Sequence, residues 1–187
     1  MTSEDEARRC VVTPGTEVVV SGELTGGEWP SVWVYQGFGL TDRVEGGQIP
    51  LEGEVQTGAG PSRVTGVWDG RLVASAVPMP FAGGRDAPPV VLRAREILRR
   101  PTEVPDAERE ATMDELFARA GDRLLGSGGT PHSSFACLLF VDSAFVDWWL
   151  DISTLRIDLS IAILPASLWD DVGMLPPSVL PGVHARP

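Results

Sequence analysis

The strongest hydrophobic signal in the chain runs from Phe135 to Leu164, FACLLFVDSAFVDWWLDISTLRIDLSIAIL. Its first part, Phe135 to Val141, is short, apolar and aromatic, the pattern of a buried strand. In its last part Leu155, Ile157, Leu159, Ile161 and Ile163 alternate with Arg156, Asp158, Ser160 and Ala162, the period of a half-buried strand. Ala144 to Asp151, between them, fits helix and strand alike. Burying the alternating aliphatic side chains contributes roughly 1.5 to 3 kcal/mol each before entropy is subtracted, so this stretch is predicted to form the core. A membrane span is not expected. The apolar run is short and carries Asp142 and Asp147, and an Asp near a bilayer centre costs about 2.5 to 3.5 kcal/mol.

Upstream, the polar punctuation cuts the chain into short β-branched runs. Thr16 to Leu24, TEVVVSGEL, reads as a strand ending at Gly26-Gly27. After Trp29-Pro30, SVWVYQGFGL sends Val32 and Val34 one way and Trp33 and Tyr35 the other, so this strand is either sandwiched or presents an aromatic face to a ligand. IPLEGEVQTG suggests a third strand, placed at an edge by Pro50. In VTGVWDGRLVASAV, Asp69-Gly70 supplies the positive φ angles of a type I′ hairpin turn between two apolar runs. Together these predict a small β-barrel or sandwich of short antiparallel strands over about residues 16–78.

A Pro- and Gly-rich segment, about residues 79–89, reads as a linker. Val90 to Arg100 is ambiguous, its helix formers after Leu92 favouring helix slightly. Asp106 to Leu125 is the most secure helix. Pro105-Asp106 start it, acids fill its first turns, and Met113, Leu116, Phe117, Ala120 and Leu124 make one stripe. Gly126, Gly128 and Gly129 are expected to stop it. The fold class is therefore α+β: the barrel or sandwich, then one long amphipathic helix at about 106–125 packed on a C-terminal β-rich core at about 135–164. Residues 1–15 are expected to be flexible, 90–165 to hold the helix and C-terminal strands, and the Pro-rich tail from Pro165 through residues 166–187 to be irregular. The whole makes one compact domain or two small ones.

Composition narrows the partners. The 187 residues carry 26 Asp+Glu against 15 Lys+Arg, a net charge of −11, which repels nucleic acid and anionic membrane surfaces and favours a basic protein partner. Every basic residue is arginine, which excludes a Schiff-base lysine or a phosphate-binding loop lysine. Cys10 and Cys137 lie in unlike settings and read as free thiols, and the charged N-terminus MTSEDEARRC lacks a secretory apolar stretch, so a cytoplasmic protein is expected.

No polar spacing names a reaction. Asp142, Asp147, Asp151 and Asp158 form a carboxylate series in the core stretch; on a helix Asp147 and Asp151 share a face beside Trp148, the minimum for acid–base work, although strand-end and solvent-face acids have the same pattern. His132, close to Ser134 and Cys137, is a candidate base, but with no nucleophile elbow it reads first as a capping or loop histidine. His184 lies in the tail, and two histidines with two dispersed cysteines give no metal spacing, so neither metal nor cofactor is expected. Trp29, Trp33, Tyr35 and Trp68 are candidate ligand-binding aromatics or core residues. Arg93, Arg95, Arg99 and Arg100 form a basic run that suits an anion contact or a solvated, Glu-paired face.

Three classes of function fit. The first is a non-catalytic binding or interaction protein, acidic and aromatic-rich, engaging a protein partner or a small apolar ligand. The second is a small hydrolase or isomerase enclosing a hydrophobic substrate in the β-rich part, with Asp147, Asp151 or His132 as its catalytic group. The third is a structural subunit of a larger assembly.

Overall fold

The computed structural model describes residues 3–34, 47–53, 60–80, 90–92, 104–130, 133–152 and 157–168. Its content is mixed α and β, mostly strand, in two sheets with antiparallel pairing predominating. Among the described residues no helix is long and apolar enough to cross a membrane.

The first sheet is built on β1 (Glu17–Thr25), whose full length pairs with β4 (Gly60–Trp68). Its other edge is shared: β2 (Ser31–Val34) takes Gly22 to Thr25, and β10 (Ile163–Pro165), from the far end of the chain, takes Val18 to Val20. Outside these lie β3 (Gln48–Pro50) beside β2 and β5 (Val73–Pro80) beside β4. Period-2 alternation puts Val18, Val20, Leu24, Val32, Val34 and Val64 on one buried face.

This sheet curls without closing into a barrel. Its two ends meet through an isolated Leu51–Val73 bridge, with Glu52 N–H donating to the Val73 carbonyl at 3.0 Å and Ala76 N–H to the Glu52 carbonyl at 2.8 Å. The expected barrel or sandwich of residues 16–78 is thus one curled sheet, and the layer packed on it comes from the C-terminal half. The β4–β5 hairpin forms, but with a loop of Asp69 to Leu72 in place of the two-residue turn. The Asp69 carboxylate accepts from the amides of Arg71 (2.7 Å) and Leu72 (2.8 Å), a local ring that stabilises the longer loop. Gly70 supplies the positive φ there, +108°.

The second sheet has the order β6 (Val90–Leu92), β9 (Ile157–Ile161), β8 (Ser133–Leu138), β7 (Leu124–Thr130). The ladder between β8 and β9 is parallel, so a crossover must join them, and α3 (Ser143–Asp151) makes it. This settles the ambiguous stretch as helix. The Asp142 side chain accepts from the Phe145 amide at 2.8 Å, capping α3, which buries Phe145, Val146 and Trp149.

Two expectations are corrected here. The helix begun at Asp106, α2 (Asp106–Ala120), ends sooner than Leu125: Gly121 takes φ +51° and Leu124 already belongs to β7. The glycines read as a stop form a strand instead, because β8 needs a partner with no side chain in one place. A Cβ on Gly128 would come within 2.7 Å of the Phe135 ring. Val90 to Leu92, at the start of a stretch that fits helix and strand alike, is the edge strand β6 paired with β9, as its β-branched residues suit; residues 93–100, whose helix formers favour helix, lie outside the described residues.

The second sheet is covered on both faces. Ala136 and Leu138 of β8, and Ile157, Leu159 and Ile161 of β9, pack with Leu116 and Ala120 of α2 and the buried residues of α3. On the opposite face Leu125 and Cys137, with Phe135, Leu139 and Phe140 partly buried, pack against the valines of the first sheet and Trp68. The N-terminal segment, expected to be flexible, carries α1 (Ser3–Arg9), and Ala7 and Cys10 are buried in the helical cluster. The residues after Pro165 are not all irregular cover either, since Leu168 is buried in that same cluster.

Gly22, on the inner face of β1, fixes the spacing of β1 and β2. A Cβ there would run into the Trp33 carbonyl and come within 2.8 Å of Val32 Cγ2. Gly22→Ala is therefore expected to lower stability by about 1 to 3 kcal/mol in urea unfolding, the usual size of overpacking; an unchanged midpoint would contradict the β1–β2 register.

Candidate functional site

The three described tryptophans of the candidate aromatic set do not converge. Trp68 is 2% exposed, in the core between the sheets, with its ring 5.3 Å from that of Phe140. Trp33 follows the alternation of β2 onto the opposite, outer face, half-buried beside Glu23 and Gln48 in register. Trp29 stands in the loop between β1 and β2 and is 83% exposed. Tyr35, His132, His184 and the arginines Arg93, Arg95, Arg99 and Arg100 lie outside the described residues.

The carboxylates are dispersed by role. Asp142 caps α3 and accepts from Arg123 Nη1 at 2.6 Å. That arginine also donates to the carbonyls of Arg119 and Ala120, and its guanidinium lies 5.4 Å from the Phe140 ring centre and 5.6 Å from that of Phe145. One side chain therefore joins the end of α2 to the start of α3. Asp147 and Asp151 are exposed on the outside of α3, and Asp147 accepts from Arg8 Nη1 at 2.6 Å, holding α1 against α3. The hydrogen bond and charge of Asp147 raise the Arg8 pKa above its usual value. Trp148 is engaged with α2 in place of the acids: Arg119 lies 5.4 Å over its ring, and Glu115 takes bonds from Arg119 and the Trp148 indole that hold its carboxyl below the usual range. The Glu115–Arg119 pair has i,i+4 spacing legible in the sequence; Arg8 and Arg123 as long-range partners carry no such signal. Among the described residues no three His, Cys, Asp or Glu side chains come together as a metal would need.

Cys10 is buried at the end of α1, its thiol donating to the Glu6 carbonyl at 3.3 Å. Burial, with the Glu6 charge, pushes it up to about 12. A thiol so raised is a poor nucleophile.

The best-built exposed feature is the β1–β2 loop, Gly26 to Pro30. At its base Thr25 Oγ1 donates to the Ser31 carbonyl at 3.1 Å and lies 2.6 Å from Ser31 Oγ, which also accepts from Gln48 Nε2 at 2.8 Å. The protons distribute consistently: Thr25 to the carbonyl, Ser31 to Thr25, Gln48 to Ser31. Across the loop, the Pro30 carbonyl accepts from Leu51 N–H at 2.9 Å. Trp29 thus projects from a clamped base, with exposed Glu28 before it and exposed Glu52 following Leu51.

The chain matches no protein-family model, and no curated protein or solved structure is significantly similar to it.

Two measurements follow from the ion pairs and the thiol. Arg123 is 18% exposed and Asp142 also caps a helix, whereas Arg8 and Asp147 are 51% and 55% exposed. Asp142→Ala is expected to lose about 2 to 3 kcal/mol in urea unfolding and Asp147→Asn under about 1 kcal/mol; equal losses would make the Arg8 contact a core element. Folding raises the Cys10 pKa, so the stability it contributes is complete below about 9 and is lost as pH climbs toward 12. Between pH 9 and 11 the wild type should lose more stability than Cys10→Ala, and parallel losses would place the thiol in contact with solvent.

Proposed function

We propose that this protein is a non-catalytic interaction protein whose acidic exterior engages a basic protein partner in the cytoplasm. The observation that carries the reading is an imbalance in how charge is used. Arg8, Arg109, Arg119 and Arg123 each pair with a carboxylate of the chain itself. Glu17, Glu28, Glu52, Glu110, Asp114 and Asp151 are exposed and have no ion pair among the described residues. The surplus charge is therefore presented outward, where it steers a cationic surface toward the molecule and repels phosphate backbones. Two buried free thiols support a reducing compartment.

Support for the enzyme reading would be a carboxylate held in an enclosed apolar site. Asp147 and Asp151 are instead on a helix exterior, and the three described tryptophans of the aromatic set occupy a core, an outer sheet face and a loop tip.

Native mass spectrometry of the protein purified gently from its own host tests the proposal. The expected spectrum contains a second, basic protein, and its affinity should weaken by about tenfold or more between 0.1 and 0.5 M salt as screening sets in. A spectrum of the bare chain alone, or one with a retained small molecule and no protein, would sink it.

A further inference from the structure

Resting on that reading, we infer that Trp29 is the anchor of the interface: the clamped β1–β2 loop inserts its indole into an apolar pocket, rimmed by Arg or Lys, on a folded protein partner. Indole carries a large apolar area with one N–H donor, and buried tryptophans dominate binding where they fill pockets. The fold leaves this one 83% in water although the core between its sheets accepts Trp68 at 2%. The loop that carries it is nevertheless fixed, by Thr25, Ser31 and Gln48 at its base, by the Pro30–Leu51 bond at its side and by the proline ring directly after Trp29. A side chain presented from a rigid base loses little conformational freedom on docking, so its burial is returned as affinity.

The chemistry of the occupant follows from the neighbours. Glu28 and Glu52 are both exposed beside the loop, so the rim that receives it is cationic. An anionic membrane is repelled by the same two carboxylates. A small ligand would gain no enclosure from one projecting ring. A two-fold contact with a second copy would set these acids against themselves.

The test compares full-length wild type with Trp29→Ala, with the double variant Glu28→Gln/Glu52→Gln, and with Phe117→Ala, which removes the 43%-exposed aromatic of α2. Each is immobilised and offered the soluble proteins of its own host; the protein retained by wild type is identified, purified and titrated against all four. Trp29→Ala should weaken binding by roughly thirty-fold or more, the equivalent of an anchor worth about 2 kcal/mol, with an unchanged melting temperature. The double Gln variant should weaken it at low salt only, and Phe117→Ala should bind as wild type does.

A partner bound equally by Trp29→Ala overturns the anchor and leaves the interaction reading intact. If wild type retains nothing, both fall. Sedimentation of wild type as a dimer that Trp29→Ala dissolves would make the occupant a second copy and overturn the proposal, as would a retained protein whose binding the Gln variant leaves untouched at low salt.

Discussion

Between Ile161 and Ile163 the backbone passes from one sheet into the other, and the rest of the architecture depends on that passage. Ala162 and Ile163 still donate to the carbonyls of Leu138 and Leu139 at the end of β8, at 3.0 and 2.8 Å. Yet Ile163 to Pro165 already pair with Val20 to Val18 of β1. The step turns Ile163 to the opposite cluster from Ile161, into the core between the sheets, while Leu164 returns to the helical cluster. The two sheets are thereby hydrogen-bonded as well as packed, and the four-stranded one becomes a middle layer. A middle layer needs apolar residues on both faces, and β8 provides them, Ala136 and Leu138 one way and Phe135 and Cys137 the other.

This arrangement explains where chemistry can and cannot be. The apolar side chains of the two clusters fill the space between the layers, Trp68 included, so the polar residues are displaced to loop ends and helix exteriors. There the arginines serve the structure: Arg123 holds α2 to α3, and Arg8 holds α1 to α3. The carboxylates left over give the exterior its sign, and Trp29 stands out of that acidic surface on a braced loop.

How much of this the sequence disclosed follows from which interactions are local. The β-branched run of β1, the alternation of β2 and β9, the helix α2 and the hairpin around Asp69-Gly70 are written in neighbouring residues and are legible. What depends on distant residues is not. The glycines after α2 read as a stop because the use of Gly128, making room for the Phe135 ring, belongs to another strand. Val90 to Leu92 fits strand and helix alike until its pairing with β9 decides it. Alternation put Ile163 with Ile161, and the sheet change at Ala162 reversed it. At the candidate site, the tryptophans were legible as a set by residue type, but their division among core, outer face and loop tip required the pairing register. Arg8 and Arg123 left no trace, since their partners lie 139 and 19 residues away.

The central claim is that the β10–β1 ladder makes the two sheets one cooperative unit, and native-state hydrogen exchange under increasing denaturant tests it most directly. The account expects the backbone amides of β1, β4, β8 and β9 to merge into one opening reaction with a common free energy and a common denaturant dependence. Amides of β1 and β4 exchanging through a separate opening, about 2 kcal/mol or more below that of β8 and β9, would contradict it.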